Sequence, residues 1–380
     1  MYFDHRLYRR LARLSVFGQS RLGRPRAGVL AFFFVLLPIV ELVNAVCFWL
    51  DDLFFPGYRR MDVTGAVFIV GNPRSGTTLM HRLMAKDNQR FFTFRSWEIM
   101  FPAIVQKTVL SLCGRLDRLL GDVGERAIRR CEEAWFEEFN KMHRVGLFLP
   151  EEDDKLLIHA LSSLDLLWFF PVPELNRFAR FDEAVPEGDK ARIMKFYASC
   201  VKRQACFRGG GVLLSKNPLF SPKLRTLMTH FPKGRFIYMV RNPLDVIPSM
   251  LDMAQKIWEK TQGRRAPAAV EEGVYETLKS FYDYPLRVLD EAAPDSYVIV
   301  KYDDLVRDPQ GVVEMAYARL GLEATPEFRE VLRAETERIL AYRSEHAYAL
   351  GEQSVTRERI VSDLKYVFER FGFDQRSAAA

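Results

Sequence analysis

The stretch that decides the fold is Ala66-Val67-Phe68-Ile69-Val70-Gly71-Asn72-Pro73-Arg74-Ser75-Gly76-Thr77-Thr78. It begins with five apolar residues, continues through a turn that contains two glycines, and leads into a helical pattern over residues 79–84. A strand, a glycine-bearing turn and a helix N-terminus together present backbone N–H groups and the positive end of a helix dipole to an anion. The sequence therefore predicts an anion-binding loop over residues 71–78.

The side chains of this loop indicate which anion it binds. Gly71, four residues and Gly76 have the spacing of a nucleotide P-loop, but Thr77 stands where P-loop kinases and ATPases have lysine. Phosphoryl transfer relies on that lysine together with Mg²⁺, so its absence argues against such an enzyme. The positive charge lies instead at Arg74, inside the loop. A helix cap without a ligand is the alternative, but capping has no need of an interior arginine.

Short apolar runs alternate with helical patterns through the rest of the chain. Residues 66–70, 212–216, 235–240 and 297–301 are predicted strands, and the first, third and fourth are continuously apolar, as central parallel strands are. This alternation predicts an α/β fold, a P-loop parallel sheet flanked by helices. A mostly helical insertion over residues 117–208 is expected to cover the acceptor side of the active site at the carboxyl edge of the sheet. We expect one catalytic domain over residues 61–380.

Residues 1–60 form a basic segment followed by a hydrophobic helix. The first 26 residues carry seven arginines and one aspartate, and an apolar stretch from Ala27 to Leu50 follows. Glu41, Asn44 and Asp51 recur at helical spacing, which suits a helix lying at a membrane interface with one polar side. A true membrane span and a buried core helix are the alternatives.

A second basic element follows the strand at 235–240. Arg241 ends that strand, Pro243 and Asp245 come next, and Ser249 lies eight residues after the arginine. A planar arginine side chain binds a phosphate through two parallel hydrogen bonds, and a hydroxyl adds one more donor. For this element by itself, a surface arginine beside a Pro-Asp turn is the alternative.

These two elements resemble those of the sulfotransferases that use 3'-phosphoadenosine 5'-phosphosulfate (PAPS). The resemblance implies that Arg74, Ser75, Gly76, Thr77 and Thr78 bind the 5'-phosphosulfate. It also implies that Arg241 and Ser249 bind the 3'-phosphate and that Tyr302, in Lys301-Tyr302-Asp303-Asp304-Leu305, lies near the adenosine. Further segments, Pro150-Glu151-Glu152-Asp153 and His346-x-Tyr348, resemble a bacterial branch of the family. PAPS is then the co-substrate, and no metal is expected.

Candidate catalytic residues follow from what sulfuryl transfer needs, namely an activated acceptor and a neutralised leaving oxygen. Lys216, at the predicted end of a strand, is expected to act on the bridging oxygen with help from Arg74. Many cytosolic relatives have a histidine two positions after this lysine, where this chain has Pro218. Some membrane-linked relatives use a glutamate shortly after the P-loop helix, and this resemblance makes Glu98, in a comparable place, the predicted general base. A surface glutamate beside the packing Trp97 is the alternative. Its rivals are His143, His159 and residues 151–154, although that acidic run also suits the first turn of a helix. His81, inside the P-loop helix, is expected to be packed or exposed rather than catalytic.

The composition limits which binding partners and which cellular location are expected. The net charge is +6, but the arginines are concentrated near the N-terminus and no recognition motif is present, so no nucleic-acid partner is expected. Five cysteines without a Cys-x-x-Cys pair favour reduced thiols and a membrane-associated enzyme that faces the cytoplasm. A soluble cytoplasmic protein and a Golgi-type lumenal protein are the alternatives.

The acceptor is expected to be a small molecule or a lipid-like compound with a hydroxyl or amine group, because aromatic residues are frequent in the insertion. Two other functions stay open at this point. One is a P-loop nucleotide kinase-like enzyme, and the other is a non-catalytic membrane-attached nucleotide-binding protein.

Overall fold

The centre of the molecule is a parallel sheet. In this computed structural model, residues 2–17, 24–142, 146–341 and 355–375 are described. Within them, five strands pair in the order β2-β3-β1-β4-β5, and every pairing is parallel. The strands are β1 (Val67–Gly71), β2 (Phe91–Phe92), β3 (Val212–Lys216), β4 (Arg235–Val240) and β5 (Tyr297–Lys301).

Helices flank the sheet on both faces. In chain order they are α1 (His5–Phe17), α2 (Arg24–Ala31), α3 (Leu37–Phe54), α4 (Thr77–Met84), α5 (Ser96–Met100), α6 (Ile104–Leu119), α7 (Val123–Met142), α8 (Leu166–Phe169), α9 (Phe181–Ala184), α10 (Glu187–Arg208), α11 (Leu224–His230), α12 (Pro243–Gln262), α13 (Ala268–Asp290), α14 (Tyr302–Arg307), α15 (Pro309–Arg319), α16 (Pro326–Ala341), α17 (Arg357–Asp363) and α18 (Lys365–Phe371). Short 3-10 helices cover Pro56–Arg60, Asp153–Ile158, Pro173–Arg180 and Pro218–Lys223.

The predicted α/β fold is confirmed, and the predicted strands are found within one residue of their expected bounds. One position was wrong. Residues 297–301 were expected in the centre of the sheet, but β5 lies at its edge and its residues alternate between buried and half-buried. Its side chains still contact apolar clusters on both faces of the sheet, which explains why the run reads as continuously apolar.

Strand order creates a crevice at the carboxyl edge of the sheet. From β1 the chain builds β2 and β3 on one side, and then crosses to β4 and β5 on the other side. Ligands of open parallel sheets bind where the strand order reverses in this way. The loops that follow β1 and β4 lie at this crevice.

The N-terminal helices pack on the catalytic part of the chain. Leu7 and Leu11 of α1 and Leu37 of α3 belong to the same apolar core as the sheet residues. A π-helical stretch, Phe32–Leu36, joins α2 to α3 just before Pro38, so the helix continues from residue 24 to residue 54. The insertion of an extra residue into a turn is a common way to accommodate proline inside a helix.

The predicted polar side of this helix is confirmed, and it faces the protein. Asn44 and Asp51 are buried, and Glu41 forms an ion pair with His159 at 2.5 Å. Asp51 forms an ion pair with the buried Arg203 of α10 at 2.9 Å. By length and composition the helix is able to cross a membrane, yet its polar residues are all satisfied within the protein.

All five cysteines are free thiols, as the sequence predicted. Cys200 is buried, and burial raises the pKa of its thiol to about 12. Cys113 and Cys131 lie exposed on α6 and α7. The described thiols therefore range from buried to exposed.

Candidate functional site

The loop after β1 adopts a conformation that only a few residue types tolerate. Gly71 has φ +140° and Gly76 has φ +85°, both in the left-handed region that favours glycine. A Cβ at Gly71 would collide with the carbonyl oxygen of Met239 on β4, and Ser221 bonds both the N–H and the carbonyl of Gly71 at 3.0 and 2.9 Å. Arg74 also has a positive φ, 68°. The loop is therefore held rigidly against the sheet, and α4 begins at Thr77.

Polar side chains in the same loop are buried without a partner. In the described part of the chain, both amide atoms of Asn72 and the hydroxyl of Ser75 are buried and make no hydrogen bond. Leaving such groups unpaired costs about 1–3 kcal/mol each, and native proteins rarely tolerate this away from a ligand site. The loop thus offers donors that fit a bound phosphate or phosphosulfate.

The second basic element meets the first one. The Nε atom of Arg74 donates to the Ser249 hydroxyl at 3.2 Å, and an NH group of Arg241 donates to the Arg74 carbonyl at 3.2 Å. Asp245 orients Arg241 from one turn along α12 at 3.3 Å. Residues that are about 170 positions apart in sequence therefore line one site.

Tyr302, the first residue after the edge strand β5, borders this site. Its ring packs so closely on the phosphate loop that a Cβ at Gly76 would lie 2.5 Å from it. The Arg241 guanidinium lies over the same ring, 4.3 Å from its centre. A planar cation stacked on an aromatic ring keeps its N–H groups directed outward to an anion. The predicted binding residues Arg74, Ser75, Thr77, Arg241, Ser249 and Tyr302 belong to one contiguous group around the loop.

Two strands end in the same sequence pattern, a basic residue followed by Asn-Pro. β3 ends at Lys216 and β4 ends just before Arg241, and each cation is followed by Asn-Pro. Asn217 accepts a bond from the N–H of Leu219, and Asn242 accepts one from that of Leu244, both at 3.0 Å. Asparagine as a cap and proline in the first helical turn stop the strand and start a helix. This turn leaves both cations at the carboxyl edge of the sheet.

Lys216 lies buried at this edge and is paired. Its Nζ donates to Glu152 at 2.8 Å. His81 of α4 is also buried nearby, and burial, followed by the charge of Lys216, lowers its pKa to about 3. His81 is therefore neutral at physiological pH and bonds the backbone of Leu214, so it acts as a packing partner of the loop helix.

The acidic run 151–154 is a set of anchors for the sheet. It leads into the 3-10 helix Asp153–Ile158, as a helix start was expected to do. Asp153 accepts bonds from Tyr197 and Ser215, and Asp154 pairs with Lys223 at 2.8 Å with both side chains fully buried. These contacts fix Glu152 opposite Lys216.

Glu98, the predicted general base, is held in a structural network. Its two oxygens accept bonds from the Arg95 N–H at 2.8 Å, the Gln204 amide at 3.0 Å and Arg208 at 2.6 Å. The side chain is fully buried at the start of α5. These donors leave the carboxylate engaged in capping its own helix and holding α10, which does not support a role as base.

The rival His159 bonds Glu41 and the Ile99 carbonyl, and His143 and His346 lie outside the described residues.

A large, mostly apolar cavity opens beside the phosphate loop. Its volume is about 790 Å³, and Pro73 of the loop and Leu219 beyond Lys216 belong to its wall. Much of the remaining apolar wall comes from Leu164, Trp168, Met250, Trp258, Leu278, Phe281 and Tyr284. Such a size and composition suit a small-molecule or lipid chain.

One carboxyl group in this wall was not singled out from the sequence. Asp165 precedes α8, and burial raises the pKa of its carboxyl to about 7, with Lys155 opposing the shift and Asp154, Glu152 and Glu151 adding to it. No sequence motif marks this residue. Asn72 and Ser221 were also missed, although Asn72 lies within the loop that the sequence identified.

A model described as the sulfotransferase family matches residues 66–326, more than half of the chain. The curated omega-hydroxy-beta-dihydromenaquinone-9 sulfotransferase Stf3 of Mycobacterium bovis is 26% identical over 369 residues, covering 91% of this chain and 85% of that protein. The protein of the same name from Mycobacterium tuberculosis matches to the same extent.

Solved structures share the fold. Sulfotransferase STF1 from Mycobacterium tuberculosis superposes with a TM-score of 0.71 at 18% identity, covering 94% of this chain and 91% of that chain. Sulfotransferase STF9 from Mycobacterium avium gives a TM-score of 0.68 at 17% identity, covering 98% of both chains.

Proposed function

This chain belongs to the sulfotransferase family, and we propose that it transfers a sulfuryl group from PAPS to a hydroxyl or amine of a lipid-like acceptor. The observation that carries the proposal is the convergence of the two basic elements, Arg74 in the loop after β1 and Arg241 with Ser249 after β4. A single P-loop contacts one chain of linked phosphates. Two separate phosphate contacts at the ends of the neighbouring strands β1 and β4 suit a nucleotide that carries phosphates on both its 3' and 5' positions.

The residues present fit that donor. Ser75 and Asn72 offer buried polar atoms to the 5'-phosphosulfate, and the backbone N–H groups at the start of α4 and the hydroxyls of Thr77 and Thr78 add further donors. Arg241 and Ser249 would hold the 3'-phosphate, and Tyr302 would border the adenosine. The family match favours this ligand over Mg-ATP, as does the threonine at position 77.

The acceptor would occupy the apolar cavity. Its wall includes Pro73, so an acceptor in it ends next to the phosphate loop. The name of the Stf3 relatives describes an acceptor derived from menaquinone, a lipid, which supports a lipid-like acceptor here. Helix α8 contributes Trp168 to the cavity. Phe170, directly after α8, packs on Phe33 of the N-terminal helix (residues 24–54), with ring centres 4.7 Å apart.

We assign the general base to Asp165 in place of Glu98. An oxygen–sulfur bond forms at the acceptor hydroxyl, the bond from sulfur to the phosphate bridging oxygen breaks, and the hydroxyl proton passes to the Asp165 carboxylate. A base whose pKa lies near the working pH is best suited to this task, and the pKa of Asp165 is about 7. Lys216, with Arg74, would stabilise the charge on the leaving oxygen while Glu152 holds the lysine in place.

Membrane association completes the proposal. Contacts between the N-terminal helix and the rest of the chain extend from Phe33 to Asp51, over about 27 Å at 1.5 Å per residue. A helix packed over such a length lies along its domain, and its opposite side is apolar and exposed. We propose a monotopic attachment, with the catalytic part of the chain in the cytoplasm where PAPS is available.

The test is product formation by the full-length protein in detergent micelles. The protein is incubated with sulfur-labelled PAPS and long-chain alcohols, hydroxylated prenyl quinones or short water-soluble alcohols. We expect the label to appear in a long-chain product whose mass has increased by one SO₃ group. Transfer only to short alcohols would refute the lipid-like acceptor, and transfer to none, with donor binding intact, would favour a non-catalytic nucleotide-binding protein.

A further inference from the structure

Helix α6 exposes an apolar stripe that the catalytic site does not use. Val109, Leu112, Leu116 and Leu119 recur at helical spacing, and Leu119 is 83% exposed. Leu120 and Val123 continue the stripe into the turn before α7, and both are exposed. Large exposed apolar patches on soluble proteins are uncommon and mark surfaces that contact a partner or a membrane.

The beginning of α6 is fixed against the N-terminal helix. Both oxygens of Asp51 accept bonds from the first N–H groups of α6, Ile104 at 2.8 Å and Val105 at 2.9 Å. The Gln106 amide donates to Asn44 at 2.7 Å. The first turn of α6 is therefore buried and rigid, whereas the part beyond Thr108 is largely exposed.

The N-terminal helix carries a matching stripe. Val35, Ile39, Leu42, Val46, Trp49 and Leu53 recur at spacings of three and four residues, and all are exposed. Its polar residues face the protein, so this stripe lies on the outer side of the helix. Two helices that are joined by hydrogen bonds therefore both present apolar side chains to the surroundings.

Basic side chains accompany both stripes. On α1, which contacts the N-terminal helix through Tyr8 and Phe34, Arg6, Arg9 and Arg13 are exposed. On α6, the exposed Arg115 and Arg118 alternate with Leu116 and Leu119. Apolar side chains combined with arginine on one helix are typical of segments that lie in the headgroup region of an anionic bilayer.

We propose that α6 is a second membrane-docking element, which inserts its leucine stripe into an anionic bilayer beside the N-terminal helix. This inference builds on the proposed monotopic attachment and adds a second, independent point of contact. A single helix on the membrane is free to roll about its own axis. Two contacts prevent this and fix the orientation of the domain on the membrane. The arginines favour a lipid surface over a second copy of this basic chain, because like charges would repel across such an interface.

The test is co-sedimentation of the full chain with phosphatidylcholine vesicles that contain phosphatidylglycerol. The variant combines Leu112→Ser, Leu116→Ser and Leu119→Ser. Its matched control combines Val306→Ser, Met315→Ser and Val331→Ser, three exposed apolar residues elsewhere on the molecule. Because burial of leucine side chains in the bilayer favours binding, we expect the variant to partition at least ~10-fold more weakly and the control to bind like the wild type.

Two further measurements separate this inference from the proposed function. Binding of adenosine 3',5'-bisphosphate by the variant should equal that of the wild type, since α6 lies outside the nucleotide site. A single Leu119→Trp variant should show blue-shifted fluorescence and quenching by brominated lipid, relative to the wild type, when vesicles are added. Wild-type vesicle binding by the leucine variant, or a change only in its oligomeric state, would overturn the inference.

Discussion

At the scale of single residues, the proposed chemistry depends on Asp165, a half-buried carboxyl group in the wall of the apolar cavity. The charges that shift the pKa of Asp165 belong to Lys155 and to three acidic residues, Glu151, Glu152 and Asp154. Burial raises its pKa and the acidic neighbours raise it further, whereas Lys155 lowers it. The result, about 7, makes the group a carboxylate above neutral pH and a carboxylic acid below it.

Replacing Asp165 by asparagine tests its role. Because a general base contributes about 10²–10⁴-fold, we expect Asp165→Asn to lower kcat by at least ~100-fold while the affinity for adenosine 3',5'-bisphosphate is unchanged. The wild-type rate should rise as pH increases through about 7, because only the deprotonated carboxylate accepts a proton. The variant should lack this rise.

Steady-state kinetics between pH 5 and pH 9 would measure this, with Asp295→Asn, an exposed carboxylate outside the cavity, as the control. Equal rates in Asp165→Asn and the wild type at every pH would exclude Asp165 as the base.

The convergence of the two basic elements could be predicted from the sequence, whereas the position of Asp165 in the cavity wall could not. Arg74, Arg241 and Ser249 stand at fixed distances from strand ends, and those ends meet at one edge of a parallel sheet. Asp165 belongs to no such pattern, because its cavity is built from α8 together with α12 and α13, which come much later in the chain. Glu98 occupies a plausible position in the sequence, but its partners Gln204 and Arg208 come from α10, about 110 residues later.

At the scale of elements, the junction of α3, α6 and α10 holds the N-terminal helix on the domain. Asp51 is fully buried and both caps α6 and pairs with Arg203. The Arg203 guanidinium also lies over the Tyr58 ring, 4.0 Å from its centre. The spacing of Glu41, Asn44 and Asp51 predicted a polar side, but its direction depends on His159 and Arg203, which the local sequence does not reveal.

This junction predicts a difference between two neighbouring aspartates. Asp51→Asn leaves Arg203 buried without its main counter-charge, so we expect the free energy of unfolding to fall by about 3 kcal/mol. Asp52→Asn, which removes a half-exposed carboxylate 3.5 Å from the same arginine, should cost about 0–1 kcal/mol. Urea unfolding in a fixed detergent concentration compares the two. A loss in Asp51→Asn no larger than that in Asp52→Asn would contradict the proposed junction.

At the scale of the whole molecule, the order of the strands brings the phosphate loop after β1 next to Arg241 after β4. The sequence predicted the strands and their parallel arrangement, because a strand, a phosphate loop and a helix are local features. It placed β5 wrongly in the centre, since an edge strand covered by helices on both faces has the same apolar composition as a central one. The cavity and the two exposed stripes are properties of the assembled fold.

In the proposed function, the site binds a 3',5'-bisphosphorylated nucleotide without a metal. The most direct measurement is isothermal titration of the detergent-purified full chain with adenosine 3',5'-bisphosphate, with and without Mg²⁺, beside ATP. We predict a dissociation constant in the micromolar range or below that does not depend on Mg²⁺. Arg241→Ala should weaken it about 10- to 100-fold, because it removes hydrogen bonds to a charged group. No binding, or tighter binding of ATP with Mg²⁺, would contradict the account.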